Sequence, residues 1–363
     1  MEEKLYQLAL ELIPGIGDVN AKNLIAYCGS ASAIFTSKVS HLKKIPGIGV
    51  EKIEALTSSE YLSKAEAILK DCEKKRIDIY HYTDKGYPTK LKQVADAPNI
   101  IYAQGKINEW TRILGIVGTR NATEYGQAVT TKIVEDCKSL NVVIVSGLAY
   151  GIDITAHRAA LKNNIPTIGV LAGGLDKIYP ALHKKNAQEM LEQGGLISEN
   201  PPGTKPEAHY FPARNRIIAG MSDAVIVVEA AKKGGALITA NIADSYNKTV
   251  FAVPGDLDNK YSEGCNFLIR NQKALLFTGV NDLKYHLNWD DESQAKQVAP
   301  DYSSLTEEDQ KIVSALSENK AGVPIDELAW KTQIAVNQLA SNLLTLEFSG
   351  LVKSLPGKKY KLN

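Results

Sequence analysis

Six consecutive residues, Phe211-Pro212-Ala213-Arg214-Asn215-Arg216, put an aromatic ring, two guanidinium groups and a carboxamide within one short stretch. A flat ring and two forked cations suit a ligand that carries both phosphates and stackable bases. No carboxylate stands among them for acid–base work. The bland alternatives are a core ring at the foot of a helix for Phe211 and a surface ion pair for the two arginines.

Further candidates lie in turns that follow short apolar runs: Gly118-Thr119-Arg120, Ser146-Gly147 through Gly151, Gly173-Gly174, Lys232-Lys233-Gly234-Gly235 and Pro254-Gly255. Glycine lets backbone amides approach an anion, and a helix N-terminus adds favourable partial charge. Arg120, Lys232 and Lys233 supply formal charge in the same turns. No GxGxxG follows the first strand and no GxxxxGK[ST] occurs, so neither a dinucleotide fingerprint nor a P-loop is present. His157 and His183 have no Ser or Cys nucleophile at a motif spacing, and Asp153 at a helix start reads first as an N-cap. No carboxylate pair supports hydrolysis, and the four cysteines are too scattered for a metal site. Neither a cofactor nor a metal is expected.

The elements that must position these residues alternate strand and helix. Strands are expected at Ile113–Val117, Val142–Val145, Thr167–Leu171, Gly195–Ser198, Ala224–Val228, Thr249–Val253 and Ala274–Phe277. Helical patterns separate most of them, as parallel βαβ units require. The expected fold class is α/β, an extended Rossmann-like, doubly wound, mostly parallel sheet with its ligand edge at the strands' carboxyl ends. Residues 76–112 read as a connecting segment with two short strands.

Two flanking modules are expected. Ile13-Pro14-Gly15-Ile16-Gly17 recurs as Ile45-Pro46-Gly47-Ile48-Gly49 with helical patterns around each copy. This is the look of a tandem helix-hairpin-helix domain over 1–75, in which Gly15, Gly17, Gly47 and Gly49 could turn amides toward a DNA phosphate. The alternative is a helical domain that uses the hairpins only for packing or protein contact. Residues 288–304 read as a polar linker, and 305–363 as three helices and a hairpin around Pro356-Gly357, a winged helix. Its third helix carries no Lys or Arg, which favours protein contact over sequence reading.

With 42 basic and 41 acidic residues, nucleic-acid binding has to come from local patches. The opening MEEKLYQLALEL lacks a signal-peptide pattern, and no apolar run reaches the ~18 residues of a membrane span. A cytoplasmic protein without membrane contact is expected.

The segments GIVGTRNAT (115–123), VSGLAYGIDITAH (145–157), GVLAGGLDKIYP (169–180), the stretch 198–230 around FPARNR, GGALITANIA (234–243) and VFAVPGDLDNKYSEGCNFLI (250–269) together resemble the DNA-processing protein A (DprA/Smf) family. The resemblance covers almost the whole 76–287 domain. It implies a Rossmann-like domain that binds single-stranded DNA, a homodimer, and delivery of incoming strands to the RecA recombinase during natural transformation. Carried over by motif, Arg120, Ser146, Gly147, Arg214, Asn215, Arg216, Lys232 and the amides of Gly234 and Gly235 line the strand pocket, with Phe211 stacking on a base. The competing expectation is a nucleotide-cleaving enzyme of the phosphoribohydrolase type. Those enzymes carry a glutamate soon after PGGxGT, whereas KKGGALITA here has none.

Overall fold

The computed structural model describes residues 2–45, 48–108, 110–289, 305–317, 322–349, 351–355 and 358–362. Pro46 and Gly47 of the second hairpin, most of the expected linker and the Pro356-Gly357 turn lie outside the described residues. The chain forms two compact units, Met1–Trp289 and Asp290–Asn363.

The first unit is built on nine strands: β1 (Asp78–His81), β2 (Ile100–Gly105), β3 (Arg112–Val117), β4 (Val142–Ser146), β5 (Thr167–Val170), β6 (Gly195–Ser198), β7 (Ala224–Val227), β8 (Thr249–Ala252) and β9 (Leu275–Leu276). Their order is β1-β2-β6-β5-β4-β3-β7-β8-β9. All neighbours from β6 to β9 run parallel, while β2 lies antiparallel to β6 and β1 antiparallel to β2. The segment read as a connection thus extends the sheet by two strands. Strand order reverses between β3 and β7, and such a switch point opens a crevice above the carboxyl ends.

Runs such as VVIVS are buried at every position because both faces of a parallel sheet are covered. Alternation then sorts the side chains. Val143, Val145, Ile113 and Val117 join one core with Ile217, Ile218 and Met221 of the Tyr210–Met221 helix. Ile144, Leu114 and Ile116 join the opposite core with Ile133 and Val134 of the Glu124–Asp136 helix and Ile152 and Ala156 of the Ile152–Lys162 helix.

The N-terminal helices share a core in which Ile13, Ile16 and Leu24 of the first hairpin meet Ile45, Ile53 and Leu56 of the second. They dock on the sheet region through Leu8, Ala65 and Cys72, which pack with Ile79 and Tyr102. The second unit has helices Glu307–Ser317, Ile325–Thr332 and Val336–Phe348 around a small antiparallel sheet of Val323–Pro324, Lys359–Leu362 and Val352–Leu355. Ile312, Leu328, Leu339, Leu343 and Val352 form its core. This is a winged-helix arrangement.

Candidate nucleic-acid interface at the switch point

The turns after β3, β4, β5 and β7 converge on one cleft. Thr119 N donates to Glu229 O at 2.7 Å, and Thr119 O accepts from Ile152 N at 3.2 Å, so the β3 turn is tied to β7 and to the helix after β4. Gly151 makes this possible. Its φ is +75°, and a Cβ there would stand 2.2 Å from Thr119 O, excluding any other residue.

Arg214 is the floor of the cleft. It leaves the second turn of the Tyr210–Met221 helix and is only 4% exposed. Its Nη1 donates to Val170 O at 2.6 Å, at the end of β5. Its Nε is buried without a hydrogen-bond partner among the described residues. Gly147 leaves the room for this guanidinium: a Cβ at 147 would lie 1.8 Å from Nη1. Burial pushes the Arg214 pKa below its ordinary value, and Asp153, also lining the cleft, opposes that shift. Asp153 is raised by its own burial, with Arg214 pulling the other way.

Above this floor Arg120 lies over the Phe211 ring, its Cζ 5.0 Å from the centroid. Tyr179 meets the same ring edge-on at 6.0 Å. Phe211 is half-buried, a clamped ring at the cleft rather than a core ring. Arg120, Phe211, Arg214 and Ala149 are shared by two lobes. The larger, of about 230 Å³, is bordered by Thr119, Asn215, Thr239 and by Gly234 and Gly235 at the start of the Gly235–Ser245 helix. The smaller, of about 80 Å³, is bordered by Tyr150, Tyr179, Pro180, Gly173 and Lys177. The cleft therefore pairs a glycine-rich, amide-lined lobe with an aromatic one.

The remaining residues expected here are placed differently. Ser146 is fully buried, and its Oγ donates to Ile116 O at 2.6 Å, joining β4 to β3 beneath the cleft. Arg216 does not border either lobe. It pairs with Glu199 and with Asp18 of the first hairpin helix and donates to Asp96 O. Lys232 is exposed on the turn before Gly234 and makes no hydrogen bond or ion pair among the described residues. His157 and His183 are buried structural groups: Nδ1 of His157 meets Thr167 Oγ1 at 2.7 Å, and Nδ1 of His183 donates to Leu148 O at 2.8 Å. Burial pushes His157 down to about 3, with Arg214 adding to the effect.

Gly15 and Gly17 are exposed, as is Gly49, whereas Gly47 lies outside the described residues. Each following helix begins with an acid in its first turn, Asp18 or Glu51. The Asp18 carboxylate accepts from Asn99 N at 2.8 Å and pairs with Arg216. The first hairpin thus holds the helical region to the sheet, and an acid there disfavours a nearby phosphate.

Sequence reasoning did not single out Tyr150, Lys177, Tyr179 or Pro180. Tyr179 and Tyr150 are 51% and 46% exposed. An aromatic residue standing near a lysine in a turn at the ligand edge was the available signal.

Residues 78–288 match the family model for DNA recombination-mediator protein A. The chain belongs to that family. Residues 296–358 match the DprA winged helix domain. Protein Smf of Synechocystis is 31% identical across 99% of this chain and 98% of its own length. The DNA processing protein DprA of Bacillus subtilis is 42% identical over 56% of this chain and 70% of its own. Among solved structures, DprA of Streptococcus pneumoniae superposes with a TM-score of 0.64 at 30% identity, covering 79% of this chain and 98% of that one. The single-stranded-DNA-binding DprA of Helicobacter pylori gives 0.53 at 30% identity, covering 59% and 96%. The family is one of DNA-processing proteins. Among the described residues no helix is long and apolar enough to cross a membrane.

Proposed function

We propose that the two-lobed cleft binds single-stranded DNA, with a phosphate in the glycine-rich lobe and an unstacked base in the aromatic one. The observation that carries this reading is Arg214: a buried guanidinium whose Nε has no partner among the described residues, at the junction of the two lobes. An unsatisfied buried donor is costly, and a phosphate oxygen would satisfy it. Arg120 adds charge at the rim, Asn215 and the Gly234-Gly235 amides border the phosphate lobe, and Phe211 offers a π-face. Lys232, exposed beside that lobe, would meet the strand as it leaves. Ser146 and Gly147 serve the pocket from beneath.

The site binds rather than cleaves. The buried Glu229 at the ligand edge already accepts from Thr123 N at 3.0 Å and Thr123 Oγ1 at 2.5 Å, which supports a structural role over the glutamate chemistry of phosphoribohydrolases. In this reading the protein acts in the cytoplasm as a homodimer that protects incoming strands and hands them to RecA during natural transformation. Its parts are a helical domain at 1–75, a Rossmann-like domain at 76–287, a linker at 288–304 and a winged helix at 305–363.

Base stacking is worth about 1–3 kcal/mol per base, so Phe211→Ala lowers affinity for oligo-dT about 5- to 150-fold with an unchanged salt slope. Arg120→Ala lowers affinity and makes the slope shallower by about 0.7, one neutralised charge on a single strand. Parental affinity in both folded variants, measured by fluorescence anisotropy, overturns the assignment.

A further inference from the structure

The turn that carries Arg120 is held at both ends by a single residue. Glu229 stands just past β7 and is only 1% exposed. Ahead of Arg120, its carbonyl oxygen accepts from Thr119 N at 2.7 Å. Beyond Arg120, its carboxylate accepts from Thr123 N at 3.0 Å and from Thr123 Oγ1 at 2.5 Å. Thr123 is also the N-cap of the Glu124–Asp136 helix, its Oγ1 accepting from Gly126 N at 3.2 Å. One buried residue thus bridges the switch point, from β7 to the β3 turn and to the helix that follows it.

Arg120 depends on that frame. Arg120 and Asn121 are exposed, and the Arg120 guanidinium makes no hydrogen bond or ion pair among the described residues. It rests on the Phe211 ring, 5.0 Å from the centroid. Such a contact at an exposed site is weaker than the rotamer freedom a long side chain gives up. The backbone of the turn therefore decides where this charge stands. No cation pairs with Glu229 among the described residues, and a buried charge without a partner is costly. The start of the Glu124–Asp136 helix supplies partial positive charge instead. An apolar side chain would fill the same space but would leave Thr123 N and Oγ1 without their acceptor, freeing one end of the turn.

We propose that Glu229 is a positioning residue for the strand cleft: it fixes the direction from which Arg120 meets a phosphate, by clamping the Thr119–Thr123 turn at both ends. This role rests on the single-strand reading of the cleft and deepens it.

Full-length Glu229→Gln, Thr123→Val and Thr123→Ser test it beside the parent and Arg120→Ala. Oligo-dT anisotropy is recorded across a salt series, well below each melting transition. Glu229→Gln and Thr123→Val lower affinity at least about five-fold. They also make the salt slope shallower by about 0.7, the share of one charge on a single strand. Thr123→Ser keeps the hydroxyl and the parental values. Placed in an Arg120→Ala background, the first two substitutions lose at least half of their effect on a logarithmic scale, because they act through that side chain. A substitution that merely loosens the fold lowers the melting temperature and leaves the slope alone. Trypsin reads the same turn without DNA: cleavage after Arg120 is at least about ten-fold faster in Glu229→Gln than in the parent, since the clamp suppresses local opening. If Arg120→Ala binds oligo-dT as the parent does, the DNA reading of the cleft fails, and the cleavage rate alone judges the clamp. Parental cleavage overturns the role of Glu229. So does parental affinity in Glu229→Gln where Arg120→Ala is weakened, or a loss that persists undiminished without Arg120.

Discussion

Replacing Gly147 by alanine probes the cleft without altering its formal charge. A Cβ at this position would stand 1.8 Å from Arg214 Nη1 and 2.4 Å from its Cζ. Both lie far inside van der Waals contact, and the guanidinium is boxed in at 4% exposure. It has to leave its position, breaking the 2.6 Å bond to Val170 O and losing its place at the junction of the lobes. A hydrogen bond to a charged group is worth about 1.5–3 kcal/mol net. Losing one such contact to a bound phosphate lowers affinity for oligo-dT about 10- to 150-fold. The slope of log affinity against log salt becomes shallower by about 0.7. Fluorescence anisotropy across a salt series reads both quantities, at a temperature well below the melting transition recorded for each protein. The two readouts separate causes, since lost stacking lowers affinity without moving the slope. A folded Gly147→Ala protein with parental affinity and slope would refute the placement of Arg214 at the phosphate.

Two other outcomes follow from the charged cluster that joins the helical region to the sheet. Arg216→Ala leaves Glu199 and Asp18, whose side chains are 16% and 27% exposed, without their cation; breaking such a pair costs about 3 kcal/mol, a clear drop in melting temperature. Short oligo-dT binds it with parental affinity, and a stable variant with weakened binding would show that Arg216 faces the DNA after all. Burial raises Glu11 to about 7, so the folded state holds this proton where the unfolded chain has released it. Its contribution to stability is present below about 4.5 and is lost as pH rises through about 7. Glu11→Gln keeps an acceptor for Asn99 Nδ2, which donates to Glu11 at 2.5 Å, and gains stability relative to the parent across that window. Denaturant unfolding of both proteins over the range checks the sign, and a pH-independent difference contradicts it.

Much of this molecule was legible before any coordinates. The seven parallel strands fall within a residue or two of the apolar runs that announce them, because a strand covered on both faces is a nearly continuous apolar run. The last is shortest, with β9 reduced to Leu275–Leu276 at the sheet edge. The glycine turns, the FPARNR run and the winged helix were equally readable, since each depends on local chemistry. The role of 76–112 was not: β2 joins the sheet by pairing antiparallel with β6, about 95 residues along the chain, β1 pairs antiparallel with β2, and nothing local encodes the distant partner.

The two arginines show the same boundary at the scale of single side chains. Residue types and spacing determined that this is a phosphate- and base-binding candidate on a doubly wound sheet, because helix periodicity, strand burial and glycine geometry act over a few residues. Arg214 and Arg216, two apart on one helix, are turned about 200° from one another, so the sequence already required them to face different ways. Which one borders the cleft is decided by residues remote in sequence. Strand order brings Val170 O and the space above Gly147 to Arg214, while Asp18, 198 residues away, and Glu199 hold Arg216. Tertiary structure alone could decide this, because a buried cation goes where a partner and a space are provided, and both come from distant parts of the chain.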